Sequence, residues 1–79
     1  GISEDAGLTT PIYEESVVSR MMLRHTSGKA FVVATHNKIG VVSNYQIGRT
    51  DEIFGIITDE EGAEYFRTDS SVKAEIIEA

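Results

Sequence analysis

The sequence predicts an α/β fold with a mostly parallel sheet. Two short runs of small and β-branched apolar residues, 30–34 and 53–58, have the pattern of strands that are covered on both faces. A short helix is predicted over 62–67, with Tyr65 and Phe66 supplying core contacts, and a third candidate strand follows at 73–78. This order of strand, crossover, strand, helix and strand is typical of an α/β layer.

We expect the α/β unit to be incomplete. Two or three helices cannot cover both faces of a parallel sheet, so either more chain or a second copy has to complete the layers. A chain of 79 residues forms at most one domain, and we treat residues 1–79 as a single fragment of a larger domain. Because the first residue is Gly1 rather than methionine, we expect the chain to be a piece of a longer protein.

The first helix is expected to begin near Thr10. Residues 1–10 hold two glycines and no usable period, which predicts a loop. Thr10 is a candidate N-cap, and Pro11 suits the first helical position because a missing N–H group costs nothing there. Gly28 is a good signal for the end of the helix.

The first helix is also expected to bury one apolar stripe, because large apolar residues recur along it at spacings of three and four. These residues are Val17, Val18, Met21 and Met22. A polar set that repeats every four positions is expected to face water. This set is Ser16, Arg20 and Arg24. Farther along the chain, residues 41–42 could start a short element, and residues 44–50 are predicted to be irregular.

Composition excludes several classes of protein. The net charge of −6 makes this chain a poor ligand for nucleic acid, because an acidic surface repels phosphate backbones. The absence of cysteine excludes disulfides and thiolate metal sites. No apolar run approaches the roughly 20 residues that cross a bilayer, and the N-terminus does not resemble a signal peptide.

The usual catalytic motifs are missing from the sequence. It contains no G-x-G-x-x-G, no Walker A pattern and no G-x-S-x-G elbow. His25 and His36 are eleven residues apart in different predicted elements, which is not a recognised metal-ligand spacing, so we predict no metal site. Glu60 and Glu61, after Asp59, are more typical of a solvated helix start than of paired catalytic acids.

The turn after the first predicted buried strand is the main candidate site. Lys38 lies in this polar turn, at the carboxyl end of a strand, which is the edge where open α/β sheets bind ligands. An ammonium group beside the N–H groups that Gly40 leaves free suits a phosphate or a carboxylate. The alternative is a turn lysine that is simply exposed. His36 either donates to a ligand hydroxyl or caps the strand end.

A second candidate is the small-residue segment before the first helix. It contains Gly1, Gly7, Thr9 and Thr10, and the start of a helix is favourable for anions. Ordinary helix capping by these residues explains the same pattern.

Four blocks of the sequence together resemble the later half of the effector-sensing domain of DeoR-family bacterial transcription repressors. The family shows a Gly-Ile start, a G-L-T segment, a glutamate-led helix that ends in methionine, and strands that end in A-D-H-S-K-F-G and I-T-D motifs. The order and spacing of these blocks match over essentially the whole chain. The matching residues are Gly1-Ile2, Gly7-Leu8-Thr9-Thr10-Pro11, Glu15, Val18, Met21-Met22, 30–40 and 51–59.

The resemblance implies a partial three-layer sandwich, similar to ribose-phosphate isomerases and CoA-transferases. It implies a cytoplasmic, homo-oligomeric regulator of sugar metabolism that binds a phosphorylated sugar, has no enzymatic activity and no cofactor, and contacts operator DNA through a helix-turn-helix domain outside this chain. By the same resemblance Lys38 binds the phosphate or a hydroxyl and Gly7 and Thr9 line the sugar. His36 and Gly40 also match the family's turn.

This sequence departs from the family pattern at three positions of the Lys38 turn. Thr35 stands in place of the family's aspartate, Asn37 in place of its serine and Ile39 in place of its aromatic residue. The loss of the aspartate removes a carboxylate from this turn and changes the groups available for recognition of a sugar.

Two other functions remain open from the sequence. A fragment of a sugar-phosphate isomerase or deaminase would need a general base, and the candidates are Asp5, Glu15 and Asp59. A receiver-like signalling domain would need a phosphorylatable aspartate at the end of the first buried strand, where Thr35 stands instead.

Overall fold

The computed structural model describes residues 1–68 and 70–79 and contains two three-stranded sheets. The antiparallel sheet has the order β1-β2-β4, and its strands are β1 (Ile2–Ser3), β2 (Gly7–Thr10) and β4 (Tyr45–Gly48). The parallel sheet has the order β3-β5-β6, and its strands are β3 (Phe31–Val33), β5 (Gly55–Thr58) and β6 (Glu75–Glu78). Helices α1 (Tyr13–His25) and α2 (Glu60–Thr68) and two short 3-10 turns, His36–Lys38 and Thr50–Glu52, complete the chain.

The parallel sheet confirms the expected pairing of the three apolar runs. Phe31 lies opposite Gly55, and Gly55 lies opposite Glu75, so β5 is the central strand. The two sheets nevertheless differ in type, because the other three strands pair antiparallel. The fold is therefore a small α/β fold, consistent with part of a domain, in which only one of the two sheets is parallel.

The predicted N-terminal loop is wrong, because residues 1–10 form a β-hairpin. The backbone of Gly1 exchanges two hydrogen bonds with Thr9, at 2.7 and 2.9 Å. The prediction of an irregular segment over 44–50 is also wrong, since β4 pairs with β2 there. Residues 41–42, a possible short element, belong to neither a helix nor a strand. Strands of two to four residues are too short to show an alternating pattern, and the pairing between them stabilises them.

The N-cap of helix α1 lies two residues later than predicted. Ile12 occupies the N-cap, and the hydroxyl of Thr10 accepts a hydrogen bond from the Ile12 N–H group at 3.3 Å. The same hydroxyl donates to Glu15 at 3.1 Å, so Thr10 still supports the first turn. The helix ends at His25, and Gly28 follows it with the positive φ of 75° that a stop signal requires.

The predicted buried stripe of α1 is wrong. Of the polar set expected to face water, Arg20 and Arg24 are exposed, whereas Ser16 is buried. Ser16 is only 2 % exposed, whereas Met22 is 63 % exposed. The small serine side chain allows α1 to lie close against β2 and β4, and Arg20 donates a hydrogen bond to the Gln46 carbonyl on the same side. The predicted stripe residues are all exposed: Val17, Val18, Met21 and Met22.

The core joins the two sheets. It is built from the buried residues Ile2, Leu8, Ala34, Ile53, Ile56 and Phe66. The core position predicted for Phe66 is confirmed. Tyr65 is 37 % exposed, and its ring packs edge-to-face against Phe66. Strand β3 is covered on one face only, because Val33 is 77 % exposed, so the prediction of cover on both faces is wrong for β3.

Neither α-helix in ranges 1–68 and 70–79 is long and apolar enough to span a lipid bilayer.

Replacement of Gly7 by alanine should destabilise the protein strongly. Gly7 has φ +73°, and a Cβ atom there would overlap the backbone carbonyl oxygen of Gly48 on β4. Gly28 is a matched control, because its φ is +75° but a Cβ atom there has open space around it. We expect Gly28→Ala to cost about 1–2 kcal/mol of unfolding free energy from backbone strain alone. Gly7→Ala should cost about 2–5 kcal/mol.

Urea unfolding of the two variants measures this difference. Equal losses in Gly7→Ala and Gly28→Ala would show that the close approach of β2 to β4 does not constrain position 7.

Candidate functional site

The turn that carries Lys38 follows β3 after two residues, Ala34 and Thr35. It is a single 3-10 turn, in which the Lys38 N–H group donates to the Thr35 carbonyl at 3.0 Å and the Ile39 N–H group donates to the His36 carbonyl at 3.1 Å. The N–H group of Gly40 then donates to the Ile2 carbonyl at 2.6 Å. Lys38 is therefore held at the carboxyl end of a parallel strand, where the sequence predicts a ligand site.

Lys38 lines a cleft of about 360 Å³ between the hairpin, α1 and β3. The lining also includes Thr9 from β2, Leu23 from α1 and Val33 from β3. Among the described residues that line it, Lys38 has the only charged side chain. The Gly1 amino group also belongs to the lining, so the cleft combines two amino groups with a largely apolar wall, an arrangement suited to a small anionic molecule.

The positive charge of Lys38 acts on the neighbouring backbone. Burial, and then the positive charge of Lys38, lower the pKa of the Gly1 amino group below its ordinary value of 8.0. Thr9 lies beside Gly1, and its hydroxyl oxygen accepts a hydrogen bond from the Ser43 N–H group at 2.9 Å. The hydroxyl hydrogen of Thr9 is the group left to donate to a bound molecule.

His36 forms an ion pair on the other side of the Lys38 turn. Its Nδ1 atom lies 2.7 Å from Oδ2 of Asp59, and its backbone N–H group donates to the same oxygen at 3.1 Å. The hydrogen bond with Asp59, together with the negative charge of Glu61, raises the pKa of His36 above 6.5. The hydrogen bonds from His36 and from the Gly62 N–H group lower the pKa of Asp59 from 3.8 to about 2.

The structure brings two of the five predicted site residues into one cleft. Lys38 and Thr9 line it together, whereas His36 faces Asp59 and Gly40 closes the turn against Ile2. Gly7 lies at the other end of β2 and lines a separate cleft of about 280 Å³. Gly40 has φ +80°, which explains why the turn needs glycine at this position. The role of these residues in effector binding stays a prediction.

Sequence reasoning missed the contact between Asp59 and His36. The sequence made Asp59 a candidate general base and placed it just before a solvated helix start. In the structure it accepts a hydrogen bond from the Gly62 N–H group at 2.9 Å, in the first turn of α2. The available signal was positional, since Asp59 and His36 each follow one of two apolar runs that were expected to pair in parallel. The carboxyl ends of such strands meet at one edge of the sheet.

The carboxylates that an isomerase or deaminase would need lie outside the Lys38 cleft. In ranges 1–68 and 70–79, none of Asp5, Glu15 and Asp59 lines it. Glu15 accepts a hydrogen bond from the Thr10 hydroxyl, and Asp59 is engaged by His36.

The ion pair between His36 and Asp59 should make stability depend on pH. The folded state raises the pKa of His36, so its contribution is complete below pH 6.5 and is lost as the pH rises through the raised value. The folded state lowers the pKa of Asp59, so its contribution is complete above about pH 4 and is lost as the pH falls towards 2. The pair should therefore contribute most between about pH 4 and 6.5.

Urea unfolding of the original chain and of His36→Gln, from pH 4.5 to 9, tests this dependence. The difference between the two midpoints should be largest near pH 5.5 and should shrink at high pH. The lowered pKa of the Gly1 amino group raises stability as the pH rises towards 8, which opposes the effect of His36. Because both proteins carry this amino group, its contribution cancels in the difference between their midpoints. A difference between the two midpoints that does not vary with pH would contradict the ion pair between His36 and Asp59.

The family profile described as DeoR C-terminal sensor domain matches residues 1–60. A search of curated proteins and a search of solved structures each found no match. The matched range covers the hairpin, α1, the Lys38 turn and β5, which are the elements that form and surround the cleft. The chain therefore belongs to the family of DeoR C-terminal sensor domains.

Proposed function

We propose that this chain is the effector-sensing part of a DeoR-type transcription regulator of sugar metabolism, and that it binds a phosphorylated sugar in the Lys38 cleft. The match to the family of DeoR C-terminal sensor domains supports a regulatory role for this chain. The observation that carries the proposal is that Lys38 and Thr9, which come from the two predicted site segments, line one cleft.

The chemistry of the cleft fits such a ligand. The ammonium group of Lys38 pairs with the phosphate, and the Thr9 hydroxyl donates to an oxygen of the ligand. Leu23 and Val33 offer apolar surface to the C–H groups of the sugar. Because the chain carries a net charge of −6, attraction for the phosphate has to come from this local positive charge.

The position of the cleft supports a sensing mechanism. A bound molecule would contact β2 and α1 on one side and the Lys38 turn on the other, so it would bridge the antiparallel and the parallel sheet. A ligand that favours one arrangement of these parts shifts the equilibrium by its difference in affinity, typically about 1–3 kcal/mol. In the whole regulator, which we propose to be a cytoplasmic homo-oligomer, this shift would reach operator DNA through a separate DNA-binding domain.

Replacement of Lys38 by glutamine should weaken binding of a phosphorylated sugar by about 10-fold or more, because a charge-assisted hydrogen bond is worth about 1.5–3 kcal/mol. Lys29 is a matched control, since it is exposed and does not line the cleft. Lys29→Gln removes the same charge and should leave the affinity within about twofold.

NMR titration with ribose 5-phosphate and glucosamine 6-phosphate, beside ribose and glucosamine, measures these affinities. We expect shifts at Thr9 and Lys38 with a phosphorylated sugar and none with the sugar alone. A panel of phosphorylated sugars that leaves both residues unshifted would overturn the proposal. Turnover of either compound would instead favour a sugar-phosphate isomerase or deaminase.

A further inference from the structure

We propose that Asp59 is a positioning residue for the effector site: by holding His36, it fixes the turn that places Lys38 in the cleft. This inference rests on the proposed function of the Lys38 cleft. Asp59 follows β5 and does not line the cleft, so the role in binding that we propose for it is indirect.

One carboxylate connects three parts of the chain. Oδ2 of Asp59 accepts a hydrogen bond from the His36 N–H group at 3.1 Å and faces Nδ1 of the same residue at 2.7 Å. Oδ1 accepts a hydrogen bond from the Gly62 N–H group at 2.9 Å, in the first turn of α2. Asp59 itself directly follows β5. The two oxygens therefore have separate tasks, one towards the turn and one towards the helix.

The Lys38 turn depends on anchors outside itself. A single 3-10 turn has little stability of its own, because it fixes several backbone dihedrals for two hydrogen bonds. Its far end is anchored by the hydrogen bond from the Gly40 N–H group to the Ile2 carbonyl. Its near end is anchored at His36 by Asp59. Lys38 lies between the two anchors, and the anchor at His36 is the one made by a side chain.

Loss of this anchor should reduce the fraction of molecules in which Lys38 is correctly placed. The apparent affinity of a ligand falls in proportion to the fraction of protein that is competent to bind it. We expect the turn to become mobile while β3 and β5 stay paired, since their backbone hydrogen bonds do not involve the Asp59 side chain.

Asp59→Asn separates the two tasks of the carboxylate. Asparagine keeps one oxygen acceptor for the Gly62 N–H group and is itself a good helix cap, but its amide nitrogen cannot accept from His36. Glu61→Gln is the matched control. It also removes one negative charge beside His36, although Glu61 makes only a 3.6 Å contact with the ring. Asp59→Asn should weaken binding about 3- to 10-fold, and Glu61→Gln less than about twofold.

The test measures the affinity of the 79-residue chain for ribose 5-phosphate and for inorganic phosphate by NMR titration. It also measures 15N relaxation of the amides of His36, Asn37 and Lys38 without ligand. We expect Asp59→Asn to raise the mobility of these amides and to weaken binding. In a Lys38→Gln background the added loss from Asp59→Asn should vanish, whereas a general loss of stability would persist there.

Each outcome bears on the inference. If Asp59→Asn does not fold, His36→Gln replaces it, because it removes the ring contact and keeps both the aspartate and the helix cap. Unchanged amide mobility, or unchanged affinity despite a mobile turn, would overturn the positioning role while the cleft still binds its ligand. If neither inorganic phosphate nor any phosphorylated sugar of the panel binds the original chain, the proposed function fails, and the inference fails with it.

Discussion

The contact between the hairpin and the Lys38 turn holds the two sheets of this protein together. Ile2 is buried in the core, forms an isolated parallel bridge with Ile39 and accepts a hydrogen bond from the Gly40 N–H group at 2.6 Å. The candidate cleft exists because this contact brings β2 beside the end of β3. The same few residues therefore carry both the joint between the sheets and the place where a ligand would bind.

Charge is distributed unevenly around this joint. The chain is acidic as a whole, yet Lys38 lines a cleft that no described carboxylate lines. Asp59 and Glu61 lie on the far side of the turn, where both contact the ring of His36, two residues before Lys38. This arrangement keeps the acidic groups occupied with His36 and leaves the lysine available to an anion.

The sequence was sufficient to predict the parallel sheet and the second helix, because both have an apolar pattern of their own. The strands at Phe31–Val33 and Gly55–Thr58 are runs of β-branched and apolar residues, and Phe66 on α2 is buried in the core. The hairpin and β4 could not be predicted, since pairing between distant segments determines them rather than local pattern. The orientation of α1 was predicted wrongly, because a spacing of three and four identifies an apolar face but not what packs against it, and here Ser16 is buried while the valine and methionine side chains are exposed. In the site, the sequence indicated Lys38 and Thr9, whereas the bond between His36 and Asp59 depends on which strands lie side by side.

Strand β3 lies at the edge of the parallel sheet, with β5 on its other side. The N–H group of Ala34 donates to the Ile57 carbonyl on β5, so the backbone groups of Val33 point away from β5, towards the edge. Val33 and Ala34 also line the Lys38 cleft. A further strand added along this edge would form a wall of the cleft. Addition of that strand would both extend the sheet and enclose a ligand. Completion of the fold would then be coupled to occupation of the cleft.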